Sequence, residues 1–328
     1  MKKALIFSFL ALSYISIWAF SSLGTDFFFC YPSNGNRQTY LIPPPVSDFY
    51  GMLILTSTFA TVGTLHNSTE TFSVPFNIPP NSVITLTIDT MLWISQTETI
   101  QDRDLRVESD NPISAYFLAY ETPGASNDMA LLFPVVSLGT EYIVMAWRDN
   151  VGTVDIGFLG KGPTMFCIVA TEDSTSITII PSVPTEGGHA AGVPFYIVLD
   201  AYETYQVLAS SPDAATLYDL TGTEIATDKP IAVISGSEIA EVPDEIQAAD
   251  YLIEQMPPLT AWGRHSRFPN RLTRQISHIF VSTHRTAIRL WSRYIISSGS
   301  MARMLKYRSI RHSLSIAVKR NGDDRLSN

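Results

Sequence analysis

The chain has 328 residues, of which 45% are apolar and 16% are charged, with a formal net charge of −9. This composition excludes a disordered, collagenous or coiled-coil chain, and only two cysteines exclude a small scaffold held together by disulfides. The length suffices for roughly one to three domains, each with a sizeable core.

The N-terminus has the pattern of a secretory signal peptide. Lys2 and Lys3 precede an uncharged stretch over residues 4–20, and Ala19 and Ser21 place small residues at positions −3 and −1 of a cleavage site. The stretch contains three serines and is short for a membrane span. We therefore assign residues 1–21 as a signal peptide and expect a secreted protein with no membrane span after cleavage.

Secretion bears on two further features of the sequence. Cys30 and Cys167 would meet an oxidising compartment, where they either join as a disulfide or remain as two buried thiols; the sequence leaves both alternatives open. Asn67-Ser68-Thr69 is the N-glycosylation sequon, and its polar neighbours indicate a surface turn. Asn67 is therefore a candidate glycosylation site.

Short runs of Val, Ile, Thr, Tyr and Phe, separated by Pro, Gly, Asn and Asp, fill the chain from residue 24 to residue 262. The pattern predicts an all-β domain, because such runs at regular spacing are typical of strands and turns. No window has an apolar period of 3.6 residues long enough for a helix. The predicted strands are Ser82–Ile88, Ile113–Tyr120, Glu141–Trp147, Phe166–Thr171, Ser176–Ile180, Phe195–Leu199, Thr204–Ala209 and Ile231–Ser235.

A repeat of about 120 residues runs through this region. Five matches occur in the same order: Val74-Pro75-Phe76 with Val193-Pro194-Phe195, Asp110-x-Pro112-Ile113 with Asp228-x-Pro230-Ile231, Asp128 with Asp250, Pro134 with Pro258, and Leu138-Gly139 with Trp262-Gly263. They predict tandem antiparallel β units over about residues 24–138 and 139–263. Each unit divides into two blocks of roughly four strands, which favours a propeller-like arrangement over stacked β-sandwiches.

Four segments of this region resemble the N-terminal domain of the IgGFc-binding protein family. They are SNDMALLFPVVSLGTEY (126–142), ATEDSTSITIIP (170–181), LTGTEIATDKPIAVISGSE (220–238) and YLIEQMPPLTAWG (251–263). The resemblance covers residues 24–263 and implies a secreted or surface-displayed protein of the mucus-associated or adhesion type. It implies glycoprotein, immunoglobulin-like or mucin-type ligands. In the family, further β-strands would follow, and the sequence after Gly263 does not show their pattern.

The charge changes sign near Trp262. Residues 1–260 carry 8 Lys/Arg and 29 Asp/Glu, a net of −21, whereas residues 261–328 carry 14 and 2, a net of +12. The abrupt change inside what would be the next repeat suggests that residues 264–328 are a truncated or out-of-frame tail. The alternative is a basic tail that contacts polyanions; secretion argues against nucleic acid as the partner.

No catalytic constellation is recognised in the sequence. The six histidines have no zinc-site spacing, and there is no nucleophile elbow, Walker loop or dinucleotide fingerprint. The acidic pairs Glu172-Asp173 and Asp244-Glu245 and the run 102–110 lack calcium-loop spacing, so they are interpreted as solvated turns. We predict no catalytic, cofactor or metal site.

Two classes of function remain. The first is a secreted, non-enzymatic binding or adhesion module for an extracellular glycoprotein or mucin-type ligand, because loops on a rigid β scaffold can present a broad recognition face. The alternative is a secreted carbohydrate-active enzyme on a propeller-type scaffold, for which the many carboxylates provide no specific pair.

Overall fold

The computed structural model describes residues 20–33, 48–122, 127–147, 162–210, 218–242, 249–262, 278–284, 287–295, 302–310 and 313–319. Nearly all of the predicted signal peptide lies outside these residues. Within them the fold is all-β and antiparallel, and helix is limited to three short 3-10 turns, Thr90–Leu92, Val135–Ser137 and Leu259–Ala261. No helix in the described segments is long and apolar enough to cross a membrane.

The first sheet has seven strands, five of which follow the order β4-β3-β7-β2-β5, while β1 and β8 also pair with β7. Its strands are β1 Gly24–Phe29, β2 Asp48–Ser57, β3 Thr61–His66, β4 Ser73–Ile78, β5 Ser82–Ile88, β7 Leu105–Thr122 and β8 Asp128–Leu131. The remaining strand of this part of the chain, β6 Ile100–Gln101, pairs with the second sheet.

The 18-residue strand β7 organises the first sheet. Its first half pairs with β1 and β3, up to Ser109 opposite β3, and its second half pairs with β2 and β8 from Ser114 onward. Pro112 lies between the two halves, where the neighbouring strands change. A residue without an N–H is tolerated there because no ladder hydrogen bond is required of it.

The second sheet repeats this pairing order as β12-β11-β14-β10-β13-β6, with β9 and β15 also on β14. Its strands, besides β6, are β9 Gly139–Ile143, β10 Thr164–Ala170, β11 Thr175–Ile180, β12 Phe195–Leu199, β13 Thr204–Leu208, β14 Glu224–Glu241 and β15 Ala249–Gln255. In the 18-residue strand β14, Pro230 lies between the residues that pair with β11 and those that pair with β10.

The pairing registers define which residues are equivalent in the two sheets. Gly24 lies opposite Ile113 and Gly139 opposite Ile231, so the two Asp-x-Pro-Ile motifs occupy the same position. The Val-Pro-Phe match is displaced instead: Pro75 lies opposite Thr64, and its equivalent opposite Thr178 is Tyr196. Because a shift of two residues keeps every side chain on the same face of the strand, the two motifs match in sequence although they do not lie at equivalent positions.

The two sheets share part of their core. Strand β10 is buried on both faces: Phe166 and Ile168 pack inside the second sheet, whereas Met165 and Cys167 pack against residues of the first sheet such as Phe29. A strand buried on both sides has a continuous apolar run, as Thr164–Ala170 does. The two sheets therefore form one packed body rather than two separate domains.

The predicted propeller-like arrangement is not observed in the described sheets. A propeller blade is a separate sheet of four strands. Strand β14 instead pairs with β10 and β11, which precede it in its unit, and with β15, which follows it. Strand β7 pairs likewise with β2 and β3 before it and with β8 after it. In each predicted unit the 18-residue strand joins the two blocks into one sheet. A sequence pattern of short apolar runs does not indicate so long a strand.

The basic tail contains four strands where the sequence indicated none. They are β16 His278–His284, β17 Ala287–Ile295, β18 Ala302–Ile310 and β19 Ser313–Lys319, paired as an antiparallel meander. Closely spaced Arg and Lys residues hid the strand pattern, although charged side chains are common on the exposed faces of strands.

Candidate functional site

A charged network lies on the outer face of the first sheet. The Arg106 guanidinium binds both carboxylate oxygens of Asp26, with Nε to Oδ1 and Nη2 to Oδ2 both at 2.9 Å. Nη2 also lies 2.9 Å from Oε1 of Glu108, whose Oε2 is 2.9 Å from His66 Nε2. Strands β1, β7 and β3 are neighbours, so their outward side chains meet in this order.

Aromatic rings from both sheets frame the Arg106 side chain. Its Nη1 donates to the Tyr202 hydroxyl at 3.0 Å, and the guanidinium carbon lies 5.0 Å from the centre of the Phe28 ring. Tyr202 belongs to the second sheet's β12–β13 turn and has a φ of 75°, a backbone conformation that is rare for a tyrosine. The turn is therefore held in a strained form that brings its ring to Arg106.

The network holds charged groups in fixed positions at the surface, an arrangement that is suited to recognition. Asp26 is the main cause that raises the pKa of Arg106, so the guanidinium stays charged at every physiological pH. The Glu108 side chain is 47% exposed and presents a carboxylate to solvent beside the Arg106 and His66 side chains, each 22% exposed. Arginine and tyrosine are the residues most enriched at the energetic centres of protein interfaces.

The sequence analysis did not find this network, although one signal was available. Residues 22–260 contain only six Lys/Arg, and Arg106 alternates with buried residues in Leu105-Arg106-Val107. A lone cation on the polar face of a strand, in so acidic a region, predicts pairing with carboxylates on neighbouring strands.

The two cysteines are brought together between the sheets. Cys30 directly follows β1 and Cys167 lies in β10; both are fully buried, and their sulfurs are 2.9 Å apart. Both are free thiols in the structure. Burial raises the pKa of the Cys30 thiol well above its usual range, and the neighbouring Cys167 adds to the shift.

The sequon lies in the turn between β3 and β4, but the Asn67 side chain points inward and is only 2% exposed. Its Nδ2 donates to Oγ1 of Thr69 at 2.7 Å and of Thr71 at 2.9 Å, and its Oδ1 accepts from the Phe72 N–H at 3.0 Å. Buried Asp104 accepts hydrogen bonds from the N–H and hydroxyl of Ser68. A glycan on Asn67 would leave Nδ2 with a single N–H and remove one of these two hydrogen bonds, and the side chain is buried, so attachment would have to precede closure of this turn.

In the acidic segments named from the sequence, the Asp173 carboxylate accepts a hydrogen bond from the backbone. Asp173 accepts a hydrogen bond from the N–H of Ala201, and Asp244-Glu245 lies outside the described residues. In the ranges that the structure describes, no group of three or more His, Cys, Asp or Glu residues could hold a metal ion.

Asp128 joins the two sheets through its carboxylate. Oδ2 accepts from the N–H of Ile253 in β15 at 2.7 Å, and Oδ1 accepts from the N–H of Met129 at 2.8 Å. Burial raises the pKa of Asp128 to about 6, with the neighbouring carboxylate of Asp250 adding to the shift. The repeat had matched Asp128 with Asp250, but Asp128 lies opposite Ala119 whereas Leu252 lies opposite the equivalent residue Ser237, so Asp250 is displaced by two residues from the position of Asp128.

The fold and its contacts define an all-β module of two packed sheets with a charged network on the outer face of the first sheet. A family model described as IgGFc binding protein matches residues 128–305, more than half of the chain. The chain belongs to the IgGFc-binding protein family. The matched region runs past Gly263 into the basic tail.

The relative found among curated proteins is human IgGFc-binding protein, which is 29% identical over 166 residues. The match covers 50% of this chain but 3% of the relative, so it spans only a small part of the relative's length. No solved structure matches the chain.

Proposed function

We propose that this chain is a secreted, non-enzymatic binding or adhesion module that recognises an extracellular glycoprotein or mucin-type ligand. The observation that carries the proposal is the family match over residues 128–305. The human relative is named for binding IgG Fc. This supports a protein partner for the present chain.

The charged network is the proposed recognition surface. It combines an exposed carboxylate, a half-buried arginine and an imidazole on a rigid sheet, and rigid groups lose little conformational entropy when they bind. Because Asp26 and Tyr202 fix the position of Arg106, the exposed edge of Glu108 is held in one geometry. Such a surface favours a ligand with hydrogen-bond donors or positive charge.

Surface plasmon resonance of the full chain over immobilised mucin, with an IgG Fc fragment as a second probe, tests the proposal. We expect saturable binding that Glu108→Gln weakens roughly tenfold, equivalent to about 1.4 kcal/mol. The matched control is Glu224→Gln, because Glu224 is an exposed carboxylate in the equivalent part of β14. Absence of binding to both probes, or hydrolysis of chromogenic glycosides that one carboxylate substitution abolishes, would contradict the proposal.

Secretion and the cysteine pair belong to the same proposal. We infer that residues 1–21 are removed and that Cys30 and Cys167 form a disulfide in the oxidising compartment. The two thiols would lose two protons and two electrons to a disulfide such as glutathione disulfide, which is reduced to two thiols. The 2.9 Å separation of the sulfurs supports this pairing, since a bond of about 2.05 Å needs only a small further approach.

The basic tail, residues 264–328, has a separate proposed role. Its interpretation as a truncated or out-of-frame sequence stays a prediction, which transcript sequencing across residue 264 would test. If the frame is continuous, salt-sensitive binding of the full chain to heparin would support a polyanion-binding role.

A further inference from the structure

On the other side of Pro112 from the charged network, the outer face of the first sheet is apolar and open. Where β2, β7 and β8 lie side by side, their outward side chains form what we call the apolar face: Met52, Ile54, Tyr116, Leu118, Met129 and Leu131. Met129 is 49% exposed and the other five are half-buried. Contiguous exposed apolar surface of this kind marks an interaction site in soluble proteins.

The second sheet shows what covers such a face. The registers of β10, β14 and β15 place Met165, Cys167, Ile234, Gly236, Ile253 and Gln255 at the six equivalent positions. All six are buried. The same position in the fold is therefore open in one sheet and fully covered in the other.

The cover is supplied by the first sheet, chiefly by the chain that follows β1. Cys30 lies against Cys167, Ser33 Oγ lies 4.0 Å from the Met165 sulfur, and the Phe133 N–H donates to Gln255 Oε1 at 2.6 Å. This contact is head-to-tail: the end of one sheet covers the outer face of the next.

The covering segment has its own equivalent in the second sheet. Strand β9 pairs with β14 as β1 pairs with β7, with Phe27 opposite Val107 and Tyr142 opposite Ile225. The segment after β9, Met145–Trp147, therefore occupies the position that Cys30–Pro32 occupies after β1. Its three residues are half-buried.

We propose that the apolar face binds a second copy of this chain, which covers it with its Met145–Trp147 segment in the way that Cys30–Pro32 covers the second sheet. A second copy is the partner because its segment would extend to the next molecule the contact already present between the two sheets. In this contact the apolar face of one copy binds the Met145–Trp147 segment of another. A dimer therefore still has one unoccupied apolar face and one unoccupied segment, so association continues beyond a dimer.

Sedimentation velocity of the full chain, from low micromolar to several hundred micromolar, tests this self-association. We expect the mean sedimentation coefficient to rise with concentration. Met129→Lys removes the rise by placing a charge in the apolar face, and Trp147→Ala removes it by trimming the covering segment. The matched control is Val198→Lys, at an edge-strand valine that is 56% exposed, and it leaves the rise unchanged.

Mixing the two variants identifies the geometry. Met129→Lys keeps an intact covering segment and Trp147→Ala keeps an intact apolar face, so an equimolar mixture forms a one-to-one dimer that neither variant forms alone. This dimer cannot extend, because both of its remaining surfaces carry the substitutions. Circular dichroism melting confirms that each variant is folded. A monomer at all concentrations overturns the proposal, as does a Trp147→Ala protein that still associates, because its apolar faces would then be pairing with each other. Neither result affects binding by the charged network, which is tested separately.

Discussion

At the scale of single residues, the buried turn between β3 and β4 is an example of polar groups that are fully used. Asn67 is 2% exposed and Asp104 is fully buried, and each is hydrogen-bonded to neighbours in the turn or to Ser68. Burial raises the pKa of Asp104, and the hydrogen bonds from Ser68 act against that shift. Most buried polar groups in folded proteins are satisfied in this way.

Replacing Asn67 tests the importance of this turn. Asn67→Ala leaves the N–H of Phe72 without its side-chain acceptor and removes both hydrogen bonds from Nδ2 to the hydroxyls of Thr69 and Thr71, which still bond each other. We expect a loss of about 1–3 kcal/mol in the free energy of unfolding. Urea unfolding of the full chain measures it. Asn77→Ala, at an exposed asparagine of β4, is the control and changes stability little. Equal stability of the two variants would show that the turn is held by other contacts.

At the scale of the elements, the same close contact between a glycine and a proline occurs once in each of the two sheets. Gly24 in β1 and Gly139 in β9 have no room for a side chain, because a Cβ atom at either position would overlap Pro134 or Pro258 respectively. The prolines precede the short 3-10 turns at Val135–Ser137 and Leu259–Ala261. Close packing of a strand start on a proline therefore fixes how each turn meets its sheet.

Gly139→Ala is expected to destabilise the fold by about 1–3 kcal/mol, the usual cost of overpacking a core. The methyl group would push β9 away from Pro258 and lengthen the hydrogen bond from the Gly139 N–H to the Tyr142 hydroxyl, now 2.8 Å. Thermal unfolding followed by circular dichroism measures the effect, with Thr140→Ala in the same strand as control. A melting temperature equal to that of the control would rule out the collision.

The strands could be predicted from the sequence because most are short runs bounded by turn residues. The predicted limits of Ser82–Ile88 and Phe195–Leu199 agree with β5 and β12. The two long strands were recognised only in part, since Pro112 and Pro230 indicate strand starts in a sequence. Their continuation depends on a change of neighbouring strands at the proline, and that is a property of the assembled sheet.

The candidate site was harder to predict than the strands. The cysteine pair was named from composition, but its position between the sheets depends on the register of β10 against β13 and β14. The contact of Arg106 with Tyr202 joins residues 96 positions apart and requires a tyrosine at positive φ. Neither local propensity nor periodicity contains information about such contacts.

At the scale of the whole molecule, the contact between the sheets contains a carboxyl group whose titration affects folding. The pKa of Asp128 is about 6 in the folded protein, against an ordinary value near 3.9 in an unfolded chain. The folded protein therefore holds this proton more tightly. Its contribution to stability is fully present below about pH 4 and is lost as the pH rises through about 6.

Asp128→Asn removes this contribution because the amide does not titrate. Between pH 4 and pH 7 we expect the free energy of unfolding of the wild type to fall, relative to the variant, by on the order of 1 kcal/mol. Chemical unfolding at a series of pH values measures the two slopes. Asp102→Asn, at an exposed aspartate, serves as the control and keeps the wild-type slope. Parallel curves for wild type and Asp128→Asn would contradict the raised pKa.

The cysteine pair determines how firmly the two sheets are held together. A bond between Cys30 and Cys167 links positions 137 residues apart, and closing so long a loop in the unfolded chain should stabilise the fold by about 2–4 kcal/mol. The thiols are fully buried and the pKa of Cys30 is raised, so little thiolate forms once the protein has folded. We therefore expect the bond to form during folding and to resist mild reductants afterwards.

Protein secreted from cells should have an intact mass lower than the reduced chain by two hydrogen atoms, and its unfolding midpoint in urea should drop when dithiothreitol is added to the unfolded state. The double variant Cys30→Ser, Cys167→Ser is the control, with a midpoint that does not respond to the reductant. Two free thiols in the secreted wild type, with the same midpoint as the reduced protein, would mean that the two sheets are held together without a covalent link. In that case the shared core and the hydrogen bonds between the sheets, such as those to Asp128 and Gln255, supply the contact.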